Sequence, residues 1–337
     1  MPANHQPVPC DLCGNRKPTP FLEATDQKTG DPEHRLYLAR CERCELVYLS
    51  PRPDPDVAES YFRAVYTGEK TGGRFTTYYH DEEIIRAKNE ARLDWCLRDF
   101  DTAPQNLKVL DVGAGRGHFV KVAADRGCKA VGVELDQAAC DYGRGHYDVE
   151  MICATLETSQ LTPESFDVVT MWDLIEHVES PTSVVQQAVR LLKPGGKLVV
   201  RTGNVDSWVF ARSPQQWDML FSGHTYYFSP TTLGGILEKC GLEGFHVVNA
   251  KKIDPVAPRN GKPKKQTRSL TERIAALLRD PRRLMNLPHS ISDEVRFYRF
   301  KRRFPSTWST SIMLAEARTP ARSVSAAGIE QSATSEN

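Results

Sequence analysis

The sequence predicts an α/β fold: a doubly wound, mostly parallel sheet behind a small N-terminal module. Three observations carry this. From residue 107 onward, apolar strand-like runs alternate with amphipathic helical runs, the pattern of a parallel sheet with crossover helices. The run "VLDVGAGRGHF", residues 109 to 119, breaks into Gly113, Gly115 and Gly117 directly after an apolar strand. That is the form of a strand turning sharply into a helix. Near the N-terminus, Cys10 and Cys13 in "CDLCGN" and Cys41 and Cys44 in "CERCEL" make two C-x-x-C pairs about thirty residues apart. Four thiolates at that spacing suit tetrahedral zinc in a zinc-ribbon-like layout, a structural site with no open position.

Taken in chain order, residues 1–52 form the zinc-binding module, with "HRLYLARCERCELVYLSP" as a hairpin-like stretch between knuckles. Residues 53–106 are a helical linker and lid region. Within it "SPRPDPDVAESYF" is a Pro-rich linker, and "YTGEKTGGRFTTYYH" (66–80) reads equally as a lid or a plain surface loop. A helix is expected from about Asp81 to Phe100. The α/β domain covers 107–319. Its strands are "LKVLDVG", "KAVGVELD", "VEMICATLE", "FDVVTMW" and "KLVVRTGN". Helices lie between them, the last stopped by Pro194-Gly195-Gly196. A capped helix follows in "SPTTLGGILEKCGL", then "GFHVVNAKKID" and "TWSTSIMLAEART" as a final antiparallel pair around an insertion at about 255–305. The Ser/Ala-rich tail, 320–337, is expected to be disordered.

Composition places the chain among ordinary soluble proteins, with 40% apolar and 26% charged residues in 337. No apolar run reaches membrane-span length and "MPANHQPVPC" has no signal-peptide core, so a cytoplasmic location is expected. The net charge of +1 hides an asymmetry. Between Lys251 and Arg303 there are 16 Lys or Arg against 5 Asp or Glu, a net of +11, which leaves about −10 elsewhere. In "SLTERIAALLRDPRRLM" Leu270, Ile274, Leu277 and Leu278 share one helical face with arginines around them, and three readings stay open. The segment packs on the domain, lies on an anionic membrane as a peripheral contact, or binds nucleic acid. Of nine cysteines, the five outside the knuckles (Cys96, Cys128, Cys140, Cys153, Cys240) read as small buried hydrophobes.

The glycine spacing excludes an ordinary dinucleotide fingerprint, because the third glycine of G-x-G-x-x-G falls on His118. "VLDVGAGRGHF", "GVELD", "FDVVTMWDLIEHVESP", "LLKPGGKLVV" and "HTYYFSPTTLGGILEKCGL" occur in the order of class I S-adenosylmethionine-dependent methyltransferases, and the chain resembles that family. The cysteine knuckles and "LVYLSPRPD" resemble a subgroup with an N-terminal zinc module that includes sugar C-methyltransferases. The resemblance implies a seven-stranded, Rossmann-like sheet and S-adenosylmethionine as cofactor, beside structural zinc.

The resemblance also assigns a site. Gly113, Gly115 and Gly117 let the backbone approach the methionine part of the cofactor, where a Cβ would collide. Asp111 anchors its ammonium. Glu134, 21 residues after Gly113, stands at the distance at which an acid reaches ribose hydroxyls, with Leu135 adjoining. Thr155 and Leu156 take the place of the acidic residue that many relatives set at adenine, so packing and backbone groups hold that ring. Trp172 and Asp173 line the crevice. Transfer to a hydroxyl or carbon needs a base. His224 in "FSGHTYYFSP" and His177 in "LIEHVESP" are the two candidates, with Trp217, Tyr226 and Tyr227 shaping an acceptor pocket. The expected function is methyl transfer to a small hydroxylated acceptor, a sugar or glycan precursor. A non-catalytic cofactor-binding or interaction protein, and a nucleic-acid methyltransferase using the basic insertion, are the alternatives.

Overall fold

A computed structural model of the chain describes residues 8–28, 35–52, 82–250, 253–254 and 311–321. The proposed linker and lid at 53–81, the basic insertion and the tail beyond residue 321 lie outside the described residues. Two sheets organise the rest. The larger holds β4 (Lys108–Val112), β5 (Lys129–Glu134), β6 (Glu150–Cys153), β7 (Phe166–Trp172), β8 (Leu192–Gly203), β10 (Glu243–Asn249) and β11 (Ile312–Arg318). Its seven strands run in the order β10-β11-β8-β7-β4-β5-β6. Strands β6 to β8 of this row are parallel, and β11 enters antiparallel between β8 and β10. This is the Rossmann-like arrangement expected from the strand and helix alternation.

The central strands are buried on both faces, which is why "KVLDV" and "FDVVTMW" read as nearly unbroken apolar runs. From β4 the chain winds outward through β5 and β6, then crosses back to β7 and β8 on the other side. Strand order therefore reverses between β4 and β7, and in open sheets of this kind ligands bind at the carboxyl ends beside such a reversal. Five helices in addition to α1 (Glu82–Leu97) are described: α2 (His118–Asp125), α3 (Gln137–Tyr147), α4 (Pro181–Leu191), α5 (Trp208–Arg212) and α6 (Pro230–Lys239). Two starts are written plainly in sequence. Ser180 caps α4 ahead of Pro181, and Ser229 with Thr232 forms a capping box ahead of Pro230 in α6.

One boundary differs from expectation. Helix α4 ends at Leu191, and Pro194-Gly195-Gly196 lie inside β8. Phe166 pairs with Leu192 but Val168 with Lys197, so the intervening residues bulge out of the ladder. Proline has no N–H for a ladder and Gly195 takes φ +76°, which makes the stretch suited to a bulge.

The smaller sheet holds β1 (Pro18–Thr25), β2 (Arg35–Cys41) and β3 (Val47–Leu49), antiparallel, and a fourth strand from far downstream. That strand is β9, the two residues Tyr226–Tyr227, which pair with Tyr48 and Val47. The aromatic trio expected to shape a pocket is used otherwise. Trp217 is 1% exposed and packs with Leu38, Leu49, Phe210 and Tyr227, while Tyr226 joins Tyr48 and Cys41 in the main core. These rings fill the space between two sheets. Apart from the knuckles, Cys96, Cys128 and Cys140 are buried, and Cys153 and Cys240 partly so. No helix among the described residues is long and apolar enough to cross a membrane.

The N-terminal module is tied to the domain by Asp11. Its carboxylate accepts from Ser180 Oγ at 2.6 Å and from the Thr182 amide at 2.8 Å, so it caps α4 from outside the helix. Lys239 Nζ donates to the carbonyls of Asp11 and Leu12. Asp11→Ala is expected to lower unfolding free energy by about 1 kcal/mol, as loss of an N-cap does, with a single cooperative transition retained in urea. An unchanged urea midpoint would show that the tie contributes nothing.

Candidate active site

The turn after β4 begins the site. Gly113 adopts φ +70°, and a Cβ there would meet Leu174 Cδ1 at 2.8 Å. Gly117, the left-handed residue before α2, lies against Met151 and Val149. At these two positions the crowding comes from the chain itself. Gly115 is different: it adopts φ +52° with open space where its side chain would stand. Close approach of a ligand to backbone is therefore available at Gly115. Its amide donates to Glu134 Oε2 at 2.8 Å, and Glu134 Oε1 accepts from the amides of Leu135 (2.7 Å) and Asp136 (3.1 Å). Glu134 is thus locked at the rim of the turn with lone pairs left over for hydroxyl donors. Beside it Leu135 is 68% exposed, an unusual surface for so large an apolar side chain.

Asp111 lies below the turn, 3% exposed, and accepts from Thr170 Oγ1 at 2.7 Å. Burial pushes its carboxyl up to about 7, against the pull of that hydrogen bond and of Arg92. A nearby cation favours the ionised form of such a buried acid. Thr155 is exposed and closes a turn with Thr158, whose amide donates to Thr155 Oγ1, while Leu156 packs into the core. Trp172 leans on Phe119 at 5.2 Å, with Arg92 over its ring at 4.9 Å. Asp173 has φ +54° and its carboxylate pairs with Arg201, which also bonds Asp254. These residues end or follow β4, β5, β6 and β7 in turn and so lie at the carboxyl ends of the parallel strands.

Past β7 the two histidines named from the sequence come together. Their ring centroids are 4.7 Å apart. His177 Nδ1 is 2.7 Å from the Gly223 carbonyl, and His224 Nδ1 is 2.8 Å from the Met219 carbonyl. A carbonyl only accepts, so each Nδ1 carries the proton and each Nε2 is left as the basic nitrogen. His224 is 5% exposed and His177 half-buried. Burial holds both imidazoles below the usual histidine range, His224 well below it, with His177 as its second cause. Both are neutral at pH 7.

Glu176 completes the group, a residue that was not among those named from the sequence. It is fully buried and accepts from Thr202 Oγ1 at 2.8 Å through Oε2. Oε1 has no hydrogen-bond partner and stands 4.0 Å from His224 Nε2. Burial, aided by the charge of Asp173, raises its carboxyl to about 8. One donor atom from each of Glu176, His177 and His224 lies within 4.8 Å of the others. The signal in the sequence was there: a charged residue in "LIEHV" between two apolar residues and a histidine, just past the strand "FDVVTMW".

The four knuckle cysteines also converge. Their sulfurs lie within 4.8 Å of one another, with Cys10 to Cys44 and Cys13 to Cys41 each at 3.4 Å. Zinc–thiolate bonds of about 2.3 Å in a tetrahedron set sulfurs slightly under 4 Å apart, so the four fit such an ion. Asn15 Nδ2 donates to Cys41 Sγ at 3.6 Å, a contact that favours thiolate.

Comparison with known proteins agrees with this geometry. A family model described as a methyltransferase domain matches residues 82–247. A ubiquinone biosynthesis O-methyltransferase of Pseudomonas entomophila is 30% identical over 175 residues, 46% of this chain and 72% of that protein. The enzyme of the same name from Idiomarina loihiensis is 38% identical over 110 residues, 30% of this chain and 45% of its own length. These relatives are O-methyltransferases and not sugar C-methyltransferases, so the narrower resemblance drawn from the cysteine knuckles is not supported by them. A solved SAM-dependent methyltransferase from Archaeoglobus fulgidus is 16% identical with a TM-score of 0.46, covering 77% of this chain and 99% of that one. With strand order, glycine turn and family model in agreement, the chain belongs to the class I S-adenosylmethionine-dependent methyltransferases.

Proposed function

We propose that this methyltransferase acts on a hydroxyl of a small acceptor, and that the His177–His224 pair takes the acceptor's proton. The observation that carries the reading is the orientation of both imidazoles. Each is held at Nδ1 by a carbonyl, which makes Nε2 the basic nitrogen, and that of His224 stands 4.0 Å from Glu176 Oε1 past the end of β7. Bound at the Gly115 turn, S-adenosylmethionine supplies a methyl group activated by its sulfonium charge. Asp111 and Glu134 orient that ligand, Asp111 toward a cation and Glu134 toward hydroxyls. His177 is the more open of the two histidines, so the acceptor meets it first and His224 backs it. Glu176, held protonated near neutral pH, adds no negative charge beside the pair and leaves both histidines neutral.

The O-methyltransferase name of the relatives supports a hydroxyl acceptor over a carbon one. A sugar or glycan precursor and a phenol both offer such a hydroxyl. Production of S-adenosylhomocysteine with a panel of nucleoside-diphosphate sugars and catechols separates them, and no turnover with any hydroxyl acceptor would sink the reading. The cysteine group is proposed to hold one structural zinc through Cys10, Cys13, Cys41 and Cys44.

Removal of a general base typically costs a factor of about 10²–10⁴, and His177→Ala and His224→Ala are each expected to lose turnover on that order with cofactor affinity unchanged. Near-native turnover in both would overturn the assignment. Glu134→Ala is expected to weaken cofactor binding by about 1–3 kcal/mol in calorimetry. The pH dependence follows from Asp111. Its folded carboxyl sits at about 7, above the ordinary aspartate value, so the buried site favours the protonated form at low pH. A bound ammonium favours the ionised form, so binding releases a proton below about pH 7, and affinity for S-adenosylmethionine rises as pH rises through that range. Calorimetry in buffers of different ionisation enthalpy measures the proton; Asp111→Asn should abolish it. For the metal, elemental analysis is expected to find one zinc per chain, lost in Cys41→Ser.

A further inference from the structure

One loop orients both histidines. The carbonyls of Met219 and Gly223 that receive the two Nδ1 protons belong to residues 219–224. Its backbone makes two turn bonds, the Leu220 amide to the Trp217 carbonyl and the His224 amide to the Phe221 carbonyl, both at 3.0 Å, and the Tyr227 hydroxyl donates to the Phe221 carbonyl at 3.4 Å. The firm anchor comes from the N-terminal module. Asp26, just past β1, is 0% exposed. Its Oδ2 accepts from both the amide and the hydroxyl of Ser222, each at 2.9 Å, while Oδ1 accepts from the Lys28 amide at 2.8 Å. The next residue, Gln27, donates its amide to the Leu220 carbonyl at 2.8 Å. Two adjacent residues thus grip Leu220 and Ser222, on either side of Phe221, whose ring lies 4.1 Å from that of His224.

We infer that Asp26 is a positioning residue for methyl transfer: by holding Ser222 it fixes the loop carbonyls that set the tautomer and direction of His177 and His224. The inference rests on the reading of those histidines as the proton acceptors. A carboxylate is needed for the grip. The Asp26 oxygens receive three donors, and an amide in its place would set an N–H against at least one of them. A neutral imidazole has two tautomers, and only a well-aligned carbonyl keeps the proton on Nδ1. Misplacement of a reacting group by about 1 Å can cost about 10²-fold in rate, so a slack loop reaches the chemistry without altering the cofactor turn. The groups facing the pair are Glu176 and Asp173 from the loop after β7 and Lys28 from the module. None of these is a substitute for the two carbonyls.

The test uses the full-length chain with Asp26→Asn, Ser222→Ala and the double variant. Long-range proton–nitrogen correlation spectra of the histidine side chains report the tautomers directly. Both histidines are expected as the Nδ1–H form in the parent, and His224 as a tautomer mixture in Asp26→Asn. With catechol as acceptor probe, kcat should fall roughly 10–10²-fold while KM for S-adenosylmethionine is unchanged. Because the two residues act through one contact, the double variant should be no slower than Asp26→Asn alone; independent structural damage would multiply. An unaltered Nδ1–H tautomer in the variants overturns the inference, as does a changed tautomer with native turnover. Should Asp26→Asn fail to fold, Ser222→Ala, which removes only the hydroxyl bond, decides by the same spectra. Native turnover in the histidine-to-alanine variants would instead remove the base reading, and the tautomer spectra would still judge the grip.

Discussion

Two residues join the halves of the molecule. Tyr226 and Tyr227 form a strand so short that it would have no stability alone, yet it closes the N-terminal sheet against β3. The same segment is held from the other side, where the amides of Thr225 and Tyr226 both donate to the Glu176 carbonyl. A backbone bonded to the cysteine module on one edge and to the post-β7 loop on the other has little freedom to shift. His224, two residues before Tyr226, inherits that rigidity. The module is therefore part of the site's scaffold, and Cys10, Cys41, Leu46 and Tyr48 pack in one cluster with Leu110 and Met171 of the large sheet.

The site also concentrates electrostatic tension. Asp111 and Glu176 are buried acids whose carboxyls are driven upward by loss of water, and each has one firm hydroxyl donor, Thr170 or Thr202. Such groups cost stability at neutral pH unless a ligand offsets them. The cationic side chains nearby are already committed: Arg92 and Arg201 converge on Asp254, and Arg201 also pairs with Asp173. The two acids face different tasks. One lies under the glycine turn; the other lies beside the two histidines, where burial favours its protonated form.

Much of the fold was legible because its strongest signals are local. Buried parallel strands write themselves as continuous apolar runs, and Ser180-Pro181 and Ser229-Pro230 announce helix starts. The glycine turn, the place of Glu134 beside it and the convergence of the four cysteines were readable from spacing. What escaped has no local pattern. A two-residue strand has no periodicity, so β9 was invisible, and Trp217, Tyr226 and Tyr227 beside a histidine read as pocket walls when they are filling between sheets. Pro194-Gly195-Gly196 looked like a helix stop with a turn, and tertiary pairing of β8 absorbed it as a bulge. Glu176 and Asp26 matter through partners at residues 202, 222 and 224, distances along the chain that no motif spans.

The late arrival of β9 bears on how the chain is made. Strand β3 ends at Leu49, but the edge it exposes is not covered until Tyr226 and Tyr227 have been synthesised. Until then the module is a three-stranded sheet with an open, largely apolar edge, Val47-Tyr48-Leu49, and four thiols beside it. Open edges of this kind pair readily with other chains. At usual elongation rates of about 5–20 residues per second, the interval is on the order of ten seconds or more. Strand β3 thus waits for a partner some 177 residues further along the chain.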